Sequence, residues 1–276
     1  MNKVVLIGAG GKMGLRLTRN LKKSDYQMSY IEISESGAER LAQIDIKTSE
    51  MHDVLPDADM VILAVPDIIL GKISEDVVPK MKAGAMVITL DPAAALANKI
   101  IMRNDLAYFV SHPAHPSVFN WEPTPEAQAD FFGGTLAKQT IVCALMQGAD
   151  ENYAIGEKLA STMYAPVSKA FRITVAQMGL LEPALVETLS ATCLAIVKEG
   201  LDEIIKLGVP AEAAREFLLG HLNIQLAVIF QELPGAVFSD AAIKALNYAK
   251  PVLFKEDWKR IFEPLNVQQQ INQIII

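Results

Sequence analysis

Only two cysteines, Cys143 and Cys193, occur in the 276 residues, and each sits inside an apolar run, Ile141 to Met146 and Leu189 to Val197. That leaves no disulfide framework and no redox pair, and both thiols are expected as buried packing groups. Positive charge is also scarce. With 25 Lys and Arg against 32 Asp and Glu the chain carries a formal charge of −7, and its basic residues are scattered among acids. No basic stripe marks a nucleic acid or an anionic membrane as partner. No stretch reaches the ~18 consecutive apolar residues that span a bilayer, and the first strand begins too early for a signal peptide. A cytoplasmic location is therefore expected. Internal repeats and low-complexity tracts are missing as well, and histidine appears only four times.

Hydrophobic residues, by contrast, make up 51% of the chain, enough for one large core or two modest ones. The run Val4-Val5-Leu6-Ile7 breaks into Gly8-Ala9-Gly10-Gly11-Lys12-Met13-Gly14 and continues as Leu15 to Leu21. This reads as strand, glycine turn and helix. Glycine permits positive φ and close backbone approach, and the free N–H groups at the helix start offer a site for a diphosphate. The spacing G-x-G-x-x-G is not met, because its last position falls on Met13; the glycines read G-x-x-G-x-x-G through Gly8, Gly11 and Gly14, with Gly10 extra. A second strand, Met28 to Ile33, carries Glu32 near its end. A carboxylate there accepts ribose hydroxyls and repels a 2′-phosphate, so NAD is expected rather than NADP. Arg40 on the next helix is the nearest cation that would favour the phosphate.

Strands are predicted near 3–7, 28–33, 44–47, 60–65, 85–90 and 107–111, most of them separated by helical stretches. Such alternation builds a doubly wound parallel sheet, an α/β Rossmann-type fold. A strand from Thr140 to Met146, a helix from Asp150 to Met163 and a strand over Val167 to Ile173 extend it. From Thr174 to Leu207 the pattern is nearly continuous helix, which Pro183 should start or kink; helices near Ala211 to Gln231, Asp240 to Ala249 and Glu256 to Ile275 follow. The expected organisation is a dinucleotide-binding domain over 1–170 and a smaller all-α substrate and dimerisation domain over 171–276. Leu180, Leu185, Leu194, Ile196, Leu201 and Ile204 point to several sides of the first long helix, which predicts a homodimer through this domain.

In an open parallel sheet the ligand lies beyond the carboxyl ends of the strands. The strand 60–65 leaves through Ala64-Val65-Pro66-Asp67, which would pass the nicotinamide ribose. The strand 85–90 leaves through Asp91, and the strand 107–111 through Ser111-His112-Pro113-Ala114-His115-Pro116. Oxidising an alcohol requires a proton acceptor, and His112 is the candidate base, with Asp91 to orient it. His115 is the second candidate. His112, His115 and Glu182 would alternatively hold a divalent metal. His221, beside Asn223 on an apolar helix, is either a packed residue or a site edge. Lys138, Lys169 and Arg172 are candidate carboxylate anchors.

These features resemble the prephenate dehydrogenase and β-hydroxyacid dehydrogenase type of NAD-dependent oxidoreductase. Ser111-His112-Pro113 lies where prephenate dehydrogenases carry a catalytic Gly-His-Pro turn, but Asp91-Pro92-Ala93-Ala94 has Ala94 in place of the serine of their Asp-x-x-Ser. The Lys-x-x-x-Asn motif of the β-hydroxyacid enzymes is absent between Thr174 and Leu207. A fuller resemblance, through Ile7 to Gly14, His112 to Pro116, Lys138 to Gly148 and Gly220 to Asn223, is to a group with a phosphogluconate-dehydrogenase-like carboxyl-terminal domain that includes the D-apionate oxidoisomerases. It implies NAD-linked oxidation of a branched sugar acid followed by a 1,2-shift, with His112, His115, Asp91, Glu182 and His221 as site candidates. A simple dehydrogenase or imine reductase without the shift, and a dinucleotide sensor without catalysis, are the competing readings.

Overall fold

The computed structural model describes residues 2–275. Strands β1 (Lys3–Ile7), β2 (Gln27–Ile31), β3 (Met60–Leu63), β4 (Met86–Thr89), β5 (Ala107–Pro113), β6 (Gln139–Gln147) and β7 (Val167–Arg172) form one sheet ordered β2-β1-β3-β4-β5-β6-β7. The central strands β3 and β4 are buried at every residue, as expected of strands covered on both faces. Alternate side chains enter opposite cores. Val5, Val61 and Val87 pack on one face of the sheet, and Leu6, Ile62 and Ile88 on the other. From β1 the chain passes to β2 on one side and then to β3 on the other, and this reversal opens a crevice at the carboxyl ends of β1 and β3.

Three expectations are corrected. Residues 44–47 form no strand: the N–H groups of Ile44 and Ile46 turn back to the Leu41 carbonyl after helix α2 (Glu35–Ala42), and Asp45 takes φ +57°. Two apolar residues in four are too few to hold a strand against that helix cap. The sheet is not parallel throughout, since β6 runs antiparallel to β5. Between those strands lies only the single helical turn Pro125–Gln128, too short for the crossover that a parallel return demands. Nor is Glu256 to Ile275 one helix. Pro264 forces Glu263 to extended backbone and separates the 3₁₀ turn Trp258–Phe262 from the helix Pro264–Ile274.

The chain forms two compact units, one running through Glu182 and including the segment from Gln268, the other Pro183–Val267. The division falls beyond residue 170 because β7 pairs with β6 and Met178 is buried in the sheet core. Between Val175 and Lys206 the backbone stays helical, with a capping box at Thr174 and Gln177 and a π-helical stretch, Leu180–Ser190, that accommodates Pro183. This run of 32 residues has the length and composition of a membrane span, and only 11% of its most apolar stretch is buried. Length and composition alone do not separate a span from a helix that packs on another subunit. The second unit consists of Ala191–Lys206, Ala211–Ile229 and Asp240–Leu253 with the Trp258–Phe262 turn, and its large apolar side chains include the exposed Leu194, Ile204, Phe217 and Ile224.

Candidate active site

The glycine turn has the construction a diphosphate requires. Helix α1 (Lys12–Leu21) starts after Gly11 with no side-chain cap and no acid in its first turn, so its first N–H groups remain open to an anion. Gly8 takes φ +78°, and a Cβ on it would stand 2.4 Å from the Ala64 carbonyl oxygen. A Cβ on Gly14 would stand 1.9 Å from the Gly8 oxygen. Gly10 serves a different contact, since a Cβ there would meet the Gly37 carbonyl of α2 at 2.3 Å. Lys12 and Arg16 lie over the Phe132 ring, and Met13 packs partly into the core.

Glu32, one residue beyond β2, is fixed by both oxygens. Oε2 accepts from the Gly10 N–H at 2.9 Å, and Oε1 from the Ser34 N–H at 2.9 Å and hydroxyl at 2.8 Å. Burial by itself would raise its pKa, but these bonds and one from the Ile33 N–H outweigh burial and hold the carboxyl below the usual range. Glu32, Ser34, Gly8, Gly11, Val65 and Pro66 line a cavity of about 170 Å³ at the β1/β3 crevice. Asp67 begins the helix Asp67–Val77 that follows. Arg40 donates from Nε to the Gly10 carbonyl at 2.8 Å, which ties the turn to α2. An open helix start, a turn with no room for side chains and an ionised acid at the crevice fit a dinucleotide with a free 2′-hydroxyl.

Further along the same sheet edge, three side chains converge. His112 lies near the end of β5; its Nδ1 is 2.8 Å from the Leu90 carbonyl and 3.7 Å from Asp91 Oδ2, while Nε2 is 3.3 Å from Glu182 Oε2. Asp91, just beyond β4, is fixed by the Ala93 N–H, which donates to its Oδ1 at 2.7 Å. Glu182 comes from the π-helical stretch, a geometry that recurs at functional sites. All three side chains are partly accessible, at 18 to 24%. One ligand atom from each lies within 4.8 Å of the others, so the group meets the geometry of a metal site.

His115 does not join them. Its backbone turns left-handed at φ +59°, its Nδ1 donates to the Phe132 carbonyl at 2.9 Å, and its ring stands 6.4 Å from that of His112. The metal-ligating set read from the sequence therefore changes, with Asp91 taking the place of His115. His221 belongs to the helical unit, where Nδ1 meets the Phe217 carbonyl at 2.8 Å and the two rings stack at 4.1 Å. It lines an apolar groove of about 840 Å³ with Val197, Leu201, Ile204 and Phe217. That groove is larger than the crevice but offers little chemistry. Arg172 is paired with Asp150 and Lys169 lies over the Phe171 ring, so neither stands free as an anchor. Burial pushes the Cys143 thiol up to about 12, which keeps it a packing group. Sequence reasoning missed Phe132, Ser34 and the Leu90 carbonyl; Ser34, two residues after the acid and preceding a helix, is the one with a local signal.

Residues 3–103 match the NAD binding domain of 6-phosphogluconate dehydrogenase, and residues 120–275 match the phosphogluconate dehydrogenase (decarboxylating) C-terminal family. A protein of Cupriavidus necator named D-apionate oxidoisomerase is 50% identical over 99% of both chains. One of the same name from Rhizobium rhizogenes is 46% identical over 99% of this chain and all of its own. The crystal structure of a semialdehyde dehydrogenase NAD-binding protein from Cupriavidus necator, in complex with calcium and NAD, superposes with a TM-score of 0.97 at 50% identity, covering 99% of both chains. With an NAD-binding domain on a Rossmann-type sheet, a helical carboxyl-terminal region of the phosphogluconate dehydrogenase type and near full-length identity of this order, the chain belongs to the D-apionate oxidoisomerase family.

Proposed function

We propose that this protein oxidises a secondary hydroxyl of a branched sugar acid of the D-apionate kind with NAD, then rearranges the resulting ketone by a 1,2-shift. The observation that carries the reading is the Asp91, His112 and Glu182 cluster at the same sheet edge as the dinucleotide turn. Bound NAD supplies the hydride acceptor. The turn from Gly8 to Gly14, including Lys12 and Met13 at the start of α1, takes the diphosphate. Glu32 takes the adenosine ribose, and the Val65-Pro66-Asp67 exit flanks the nicotinamide side.

As the carbinol gives up hydride, its hydroxyl proton passes to the cluster. In the shift a tertiary hydroxyl loses its proton to the same cluster and its C–O bond becomes C=O. A neighbouring carbon substituent migrates with its bonding pair to the first carbonyl carbon, whose oxygen takes a proton. The second step is redox-neutral, so one NADH forms per product. His115 serves the substrate from the periphery of this chemistry.

Incubation with D-apionate and NAD, followed by NMR of the product, tests the reading. A rearranged ketoacid is expected; the unrearranged ketoacid alone would leave a simple dehydrogenase.

We further assign dinucleotide binding to residues 1–170 and subunit contacts to 171–276, which also contributes Glu182 to the substrate site, in a cytoplasmic homodimer. The exposed apolar side chains of the helical unit support the dimer, because a groove of that size lined by Ile204, Phe217 and their neighbours is costly to leave in water.

A further inference from the structure

We propose that Asp91, His112 and Glu182 hold one divalent cation. A carbonyl oxygen only accepts, so the Leu90 carbonyl at 2.8 Å requires the proton of a neutral His112 to sit on Nδ1. Nε2 then directs its lone pair at Glu182 Oε2, 3.3 Å away. Two acceptors face one another at that distance only with positive charge between them.

The surroundings favour a metal ion as that charge. Neither Asp91 nor Glu182 is paired with lysine or arginine among the described residues, and each instead meets a ring nitrogen of His112. Asp91 Oδ1 is occupied by the Ala93 N–H, which leaves Oδ2 for the site. The Nδ1–H bond to a backbone carbonyl is the outer-shell arrangement that orients a ligating imidazole. One imidazole nitrogen and two carboxylate oxygens suit a first-row divalent ion such as Mn²⁺.

The inference rests on the proposed reaction for its use. An anionic sugar acid meets two carboxylates here, and a bound cation turns that repulsion into attraction and stabilises charge on deprotonated hydroxyls, with the hydroxyl proton passing to the unligated oxygen of Glu182.

Chelator-treated protein titrated with Mn²⁺, with free ion read by electron paramagnetic resonance, provides a test without turnover. One bound ion per chain is expected. Asp91→Asn and Glu182→Gln should each weaken binding by at least roughly tenfold, the scale on which even outer-shell partners act, while Glu199→Gln, an exposed acid on the helix Ala191–Lys206, leaves binding unchanged. Circular dichroism establishes that each variant is folded, and His112→Asn provides a third ligand change if one of the acid variants is not. Failure of the wild-type protein to bind Mn²⁺, or binding indifferent to the ligand variants, overturns the site and leaves a proton closing the His112 to Glu182 contact. Full conversion of apionate by the metal-free protein overturns it too while sparing the proposed reaction; tight Mn²⁺ binding without any sugar-acid turnover does the reverse.

Discussion

Nε2 of His112 stands 3.3 Å from Oε2 of Glu182, a contact between a sheet strand and a π-helical stretch far along the chain. With Nδ1 engaged by the Leu90 carbonyl, this nitrogen is the free face of the imidazole, and the ring as a whole sits between Asp91, on its Nδ1 side, and Glu182 at the edge of a dinucleotide-binding sheet.

His112→Asn should retain NADH binding, read by nucleotide fluorescence, and lower turnover by roughly 10²- to 10⁴-fold, the scale set by loss of a group that acts on the reacting hydroxyl, here by holding the cation. Near-normal turnover would remove His112 from the mechanism.

Glu32→Ala should narrow the preference for NAD over NADP. The bond between a ribose hydroxyl and an ionised carboxylate contributes about 1.5–3 kcal/mol, so the ratio of kcat/KM values is expected to fall by about tenfold or more. A wild-type enzyme that prefers NADP contradicts the ribose pocket outright.

The same carboxyl gives a pH signature. Its pKa in the folded protein lies below the ordinary value of 4.5, so its bonds to Gly10 and Ser34 stabilise the fold fully at pH above that value and are lost as pH falls through the folded pKa. Thermal melts of wild type and Glu32→Gln should therefore differ most near neutrality and converge in acid. A gap that widens below pH 4.5 would refute the assignment.

Gly14→Ala should abolish NADH binding and lower Tm by more than an ordinary surface substitution, since the new Cβ would lie 1.9 Å from the Gly8 carbonyl oxygen and 2.8 Å from its carbon. Unaltered cofactor affinity in this variant would mean that the turn does not carry the diphosphate.

Light scattering at micromolar concentration should report twice the 30.1 kDa chain mass. Phe217→Asp, on the apolar groove, should shift the population toward the single chain. A monodisperse 30.1 kDa wild type ends the dimer proposal.

Much of the fold was legible in one dimension because strands buried on both faces leave apolar runs and the glycine turn leaves a pattern. Val4 to Ile7 and Met60 to Leu63 are examples. Errors arose where local composition met a tertiary constraint. Ile44 to Lys47 has strand-like residues, but the end of α2 claims their N–H groups. His112 and His115 look equivalent in sequence, two residues of one strand exit, and differ only because the backbone turns left-handed at His115 and delivers its ring to the Phe132 carbonyl.

The sequence alone determined the Rossmann-type sheet, the glycine turn and the acid Glu32 at the end of its second strand, because each rests on neighbouring residues and on the steric freedom of glycine. The sequence already offers Asp91 and Glu182 as partners of His112; tertiary structure alone decided that both meet it at once and that His115 does not. Asp91 and Glu182 reach His112 through the pairing of β4 with β5 and through a π-helical stretch whose register places Glu182 beside the strand exit. Such convergence depends on strand order and helix phase, and no spacing along the chain encodes either.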